Sequence, residues 1–202
     1  MILVEGQIGV GKTTVARLLS EELEMPLFAE LRNPRTGAML DRFYENKPRY
    51  SFLLQVHFLN ERFRMVKELM AQGNGILDRS IFGDRIFARV LHDDGDMSDD
   101  EFLTYEDLLD NMLEHVRPPD LLLYLDCEVD TAIERIVRRN RGKEAGIPRD
   151  YLEKLNEHYL SWYEAYDRSP KRLVPFDEFP INSPNGRARI TELVRQSLEP
   201  GA

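Results

Sequence analysis

The strongest chemical signal in this chain is an octapeptide near its start. Gly6-Gln7-Ile8-Gly9-Val10-Gly11-Lys12-Thr13 fits the pattern G-x-x-x-x-G-K-[ST], and a helical pattern runs on from Thr14 directly behind it. Glycines let successive backbone N–H groups turn toward one point, and a helix start adds positive potential there. Lys12 is long enough to reach the outer phosphates, and the Thr13 hydroxyl suits Mg²⁺. Together they imply a loop that cradles a nucleoside triphosphate such as ATP. A turn that merely joins a strand to a helix has no use for the Lys-Thr pair.

Four carboxylates close apolar runs and compete for roles beside that cradle. Glu5 precedes the loop and reads as a residue that orients it, whereas Glu30, Asp78 and Asp126 each end a later run. Asp78 is followed at once by Arg79-Ser80, an acid able to hold a metal or take a proton next to a guanidinium able to bridge phosphates. Asp126 ends an apolar run begun at Leu121, which is also how the magnesium strand of an ATPase reads, so it is the rival metal site.

Two further groupings stand out. Gln55 and Arg62 are seven residues apart in a helical stretch, only about 20° apart around its axis, with Leu59 between them. An amide beside a cation is a pattern that grips the polar edge of a base. His57 falls on another side of that helix and reads as packing. Arg135, Arg138, Arg139, Arg141 and Lys143 crowd one short stretch that ends in glycines and Pro148, the make-up of a phosphate-closing lid over about residues 135–148. The acidic run over residues 93–101 lacks calcium-loop spacing and reads as a solvated loop entering a helix.

The elements that must position these residues alternate. Short apolar runs at 2–4, 27–29, 76–77, 121–125 and 173–174 read as buried strands, and 14–23 and 50–70 as amphipathic helices. Ser98 with Glu101, and Ser183 before Pro184, mark two more helix starts. The expectation is an α/β fold of the P-loop NTPase type, a parallel five-stranded sheet flanked by helices, in one domain over residues 1–202. With 27 Lys and Arg against 36 Asp and Glu, the net charge of −9 argues against a nucleic-acid polymer or an anionic membrane as partner. A single cysteine, Cys127, and an opening without a basic leader point to a cytoplasmic protein.

In order along the chain, the cradle, Glu30, Phe43-Tyr44-Glu45, residues 50–55 ending in Gln55, Arg62, Asp78-Arg79-Ser80 with Asp84, the arginine cluster, Glu144 and residues 151–155 resemble the deoxynucleoside kinase family over nearly the whole length. The resemblance implies transfer of the γ-phosphoryl of ATP or another nucleoside triphosphate to the 5′-hydroxyl of a deoxynucleoside, a purine one above all, with Mg²⁺, in a homodimer serving nucleotide salvage. It assigns Glu30 to the 5′-hydroxyl as base, Asp78 being the other candidate for that role or, with Thr13, a metal ligand. It assigns Tyr44 and Glu144 to the 3′-hydroxyl, Gln55, Arg62 and Asp84 to the base, and Arg79, Arg135, Arg139 and Arg141 to phosphates. A nucleotide kinase such as thymidylate kinase is the nearest alternative, but Glu30 would repel an acceptor phosphate. An ATPase acting on a protein partner through Asp126 is more remote. A GTPase switch is excluded because the one Asn-Lys pair, Asn46-Lys47, continues with Pro48-Arg49.

Overall fold

Strands that are apolar at every position need cover on both faces, and the sheet receives it. The computed structural model describes residues 1–29, 33–139, 146–179, 181 and 183–199, without the side chain of Glu178. Its strands are β1 (Ile2–Glu5), β2 (Leu27–Ala29), β3 (Ile76–Asp78), β4 (Leu121–Asp126) and β5 (Lys171–Pro175). They pair in parallel in the order β2-β3-β1-β4-β5. Side chains alternate between the faces. Ile2, Val4, Leu121, Leu123 and Leu125 pack with Val15, Leu19, Ile190 and Val194 from α1 (Lys12–Glu22) and α8 (Pro184–Leu198). Leu3, Leu77 and Leu122 pack on the opposite face with side chains of α3 (Lys47–Gln72), α4 (Arg85–Asp93) and α5 (Asp99–Leu113). The remaining helices are α2 (Arg35–Glu45), α6 (Val129–Arg139) and α7 (Arg149–Ala165).

This order sets the site. β1 is central, with β3 on one side and β4 on the other, so the loop after β1 opens where the strand order switches direction. Asp78 and Asp126 end the two neighbouring strands and flank that loop. The five expected strands are all present. The first helix starts at Lys12 rather than Thr14, which puts Lys12 and Thr13 in its first turn, and the long helix starts at Lys47, where Asn46 accepts from Arg49 N and Pro48 fills the first turn. Among the described residues no helix is long and apolar enough to cross a membrane.

The acidic run serves as a helix entry. Ser98 and Glu101 form a complete capping box, with Asp99, Asp100 and Glu101 in the first turn of α5. Ser98→Ala is expected to cost about 1 kcal/mol of stability with activity unchanged, read from the urea midpoint of unfolding.

Candidate active site

The loop between β1 and α1 is shaped by positions that only glycine fills. Gly6 has φ 141, and a Cβ there would lie 2.4 Å from the Leu125 carbonyl oxygen; Gly9 has φ 85 and would bring a Cβ to 2.6 Å from that of Ala132. Lys12 folds back over this loop, its Nζ donating to the Gly6 and Gln7 carbonyls at 2.8 and 2.6 Å. The Gln7 side chain turns away and donates from Nε2 to the Cys127 carbonyl at 2.9 Å, fastening the loop to the end of β4. Burial beside it pushes the Cys127 thiol up to about 11.

The two flanking aspartates are not equivalent. Thr13 Oγ1 donates to Asp78 Oδ2 at 2.6 Å, and Asp78 lines the cleft that opens here, whereas Asp126 does not line it. Burial and the nearby Glu128 raise the Asp126 carboxyl above the usual carboxylate range. Asp78 is thus the acid joined to the cradle hydroxyl, and Asp126, the rival metal site, stands outside the cleft.

Arg79 adopts a left-handed backbone, φ 67, which costs a non-glycine residue on the order of 1–3 kcal/mol. Its N–H donates to Val4 O at 3.1 Å. The next N–H, of Ser80, donates to Glu5 Oε1 at 2.8 Å, and the Ser80 hydroxyl donates to the same oxygen at 3.2 Å. Glu5 therefore orients the Asp78–Ser80 turn. Burial drives its carboxyl upward, with Arg79, Lys12 and Arg62 opposing.

One cleft of about 1080 Å³ gathers most of the expected residues. Its wall includes Ile8, Gly9, Gly11 and Lys12 to Thr14 of the loop and α1, Asp78 and Arg79 after β3, Tyr44 of α2, Gln55 and Arg62 of α3, and Arg135, Arg138 and Arg139 of α6. Gly6, Gln7 and Val10 lie behind the wall, as does Asp84, which is 1% exposed and ion-paired to Arg62. Asp84 therefore stands one layer back from the cleft. Arg135 is a brace: it donates to Val10 O at 3.1 Å and Asp177 Oδ1 at 3.0 Å, and lies over the Phe176 ring at 5.0 Å. Glu30, Arg141 and Glu144 lie outside the described residues. His57 pairs with Thr36 Oγ1 at 3.0 Å, and burial lowers its pKa, in keeping with a packing role.

The sequence reading missed several wall residues. The apolar partner of Gln55 and Arg62 is Phe58, not Leu59: Leu59 is fully buried in the core, while Phe58 lines the cleft with the Arg62 guanidinium 5.0 Å from its ring. Both flank the same helix face, and spacing alone does not tell which one faces the cleft. Arg17 lines the wall one turn beyond Thr13, an i,i+4 signal that was open to reading. Lys47 and Tyr151 come together from α3 and α7, with the Lys47 ammonium 5.5 Å from the Tyr151 ring, and no local pattern announces that pair.

Comparison with known proteins agrees with this geometry. A family model described as deoxynucleoside kinase matches residues 2–199. A deoxyguanosine kinase of Lactobacillus johnsonii is 35% identical, the alignment covering 100% of this chain and 94% of that protein. A deoxyadenosine/deoxycytidine kinase of Bacillus subtilis is 31% identical over 96% of this chain and 91% of its own. The structure of deoxyadenosine kinase from M. mycoides with bound dATP superposes with a TM-score of 0.84 at 28% identity, over 96% of this chain and 98% of that one.

Proposed function

This chain belongs to the deoxynucleoside kinase family, and from that premise we propose that it transfers the γ-phosphoryl of ATP to the 5′-hydroxyl of a purine deoxynucleoside, as a single kinase domain. The observation that carries the reading is that one cleft holds both the phosphate loop and the buried Gln55–Arg62 pair. Relatives named deoxyguanosine and deoxyadenosine kinase support the purine preference.

Phosphoryl transfer asks a protein for positioning and charge neutralisation more than for covalent help. The loop N–H groups and Lys12 take the β- and γ-phosphates, Lys12 exchanging two carbonyl partners for anionic oxygens. Arg79 and Arg139 neutralise charge on the transferred group, with Arg141 beside them in sequence. Gln55 holds the polar edge of the base through its amide. Arg62, kept in place by Asp84, donates beside it, and Phe58 supplies the apolar face. Tyr44 and Glu144 take the 3′-hydroxyl.

Mg²⁺ would be held by Thr13 and Asp78, and it supplies charge neutralisation at the phosphate oxygens. The donor set fits: a hydroxyl and a carboxylate stand 2.6 Å apart beside the phosphate loop, and magnesium in such sites relies on one or two carboxylates plus substrate phosphates. As an aspartate, Asp78 is one methylene shorter than a glutamate, which favours contact through water.

Glu30, directly after β2, and Asp78 are the two candidates for the base that takes the 5′-hydroxyl proton. Glu30→Gln is expected to lower kcat by about 10²–10³-fold with little change in nucleoside affinity, measured by single-turnover kinetics and equilibrium binding. Equal losses in binding and transfer would make Glu30 a binding residue and leave Asp78 as the base. We further read the chain as a cytoplasmic salvage enzyme and a homodimer through α3 and α5, on which Leu53 and Leu103 remain exposed.

The test is a parallel assay of deoxyadenosine, deoxyguanosine, deoxycytidine, thymidine and thymidylate with ATP and Mg²⁺. Formation of the 5′-monophosphates, fastest for the purines, is the expected result. ATP turnover indifferent to any nucleoside, or phosphorylation of thymidylate alone, would overturn the proposal.

A further inference from the structure

We propose that Tyr159 is a positioning residue for phosphoryl transfer: from α7 it fixes the guanidinium of Arg79, tying the helix after the arginine-rich segment to the turn that carries Asp78. The inference rests on the function proposed above and adds a residue to it. Arg79 Nη1 donates to the Tyr159 hydroxyl oxygen at 2.6 Å, across 80 positions of sequence. Both residues are buried, Arg79 at 7% and Tyr159 at 1% exposure, yet Arg79 still lines the cleft.

The backbone of Arg79 is already pinned. Its left-handed conformation is held through Val4 and, one residue on, through Glu5, so the remaining freedom lies in a long side chain. Contacts with Phe87 and Tyr159 restrict that freedom. The guanidinium lies 4.9 Å over the Phe87 ring, and Tyr159 accepts one of its N–H groups.

The choice of partner matters chemically. A carboxylate at that position would bind the guanidinium more strongly but would neutralise the charge that the phosphates need. A phenol oxygen holds the group in place without itself neutralising the charge. The Tyr159 ring is itself held by Phe87 at 6.1 Å and 86°, and by Trp162 at 6.4 Å and 87°. Removing only the hydroxyl therefore preserves the packing.

The experiment is a double-mutant cycle of Tyr159→Phe and Arg79→Lys, with kcat and both KM values referred to the folded fraction measured by circular dichroism. Tyr159→Phe is expected to lower kcat about tenfold, with KM for ATP and deoxynucleoside within about twofold of wild type, the loss of one buried charge-assisted hydrogen bond expressed in the transition state. In the Arg79→Lys background, where the forked guanidinium is gone, the same change is expected to have no further effect on kcat. A Tyr159→Phe protein with unchanged kcat, a rise in KM in place of the fall in kcat, or a full further loss on top of Arg79→Lys would overturn the inference. The wild-type chain serves as the separate check: if it phosphorylates no deoxynucleoside, it is the proposed function that fails.

Discussion

Asp78→Asn is expected to lower kcat by about 10²–10³-fold while the chain keeps its fold and its affinity for the deoxynucleoside. The amide keeps the size of the side chain and an oxygen that still accepts from the Thr13 hydroxyl, now 2.6 Å from Asp78. What it loses is the negative charge beside the phosphate loop. If Asp78 holds magnesium with Thr13, the variant also needs more Mg²⁺ to reach half-maximal rate, so the informative measurement is kcat as a function of Mg²⁺ concentration. An Asp78→Asn enzyme with normal turnover and normal Mg²⁺ dependence would return the metal role to Asp126.

The largest effect on stability is expected from Asp84→Ala. Arg62 is 4% exposed and Asp84 1%, and the two form an ion pair inside the protein. Removing the acid takes one hydrogen-bonded carboxylate from a buried guanidinium, and breaking a buried pair from one side costs about 3–5 kcal/mol. Chemical denaturation should show a loss of that size. Nucleoside binding should fall with it, because the cation beside Gln55 loses its support. The double variant Arg62→Met, Asp84→Leu is expected to regain most of the stability and none of the binding. A stable Asp84→Ala protein with normal affinity would mean that the pair does not position the base contact.

Asp84 also shows why local reading stops short. It stands at the N-cap of α4, where an aspartate would ordinarily accept from the helix N–H groups, yet its side chain makes no capping bond. The carboxylate is committed instead to Arg62, 22 residues earlier in the chain. The capping signals at Ser98 and Ser183 were legible because both partners lie within four residues. The phosphate loop was legible because strand, glycines, lysine and helix are contiguous.

The core strands were legible for a related reason: burial on both faces leaves nothing but apolar residues, as in β4. β5 was seen only at residues 173–174, because this edge strand opens with Lys171 and Arg172, half-buried and exposed. Phe58 and Leu59 flank the same helix face, and only the placement of α3 on the sheet decided which of them lines the cleft. The Arg79–Tyr159 bond and the role of Glu5 beneath Ser80 depend on segments about 75–80 residues apart, and no spacing rule reaches that far.

The measurement that bears most directly on the central claim is phosphorus NMR of the product formed from ATP and deoxyadenosine. The account predicts a phosphomonoester whose phosphorus couples to the two 5′ protons, with one ADP formed for each. Coupling to the 3′ proton, or release of inorganic phosphate with the nucleoside unchanged, would contradict it.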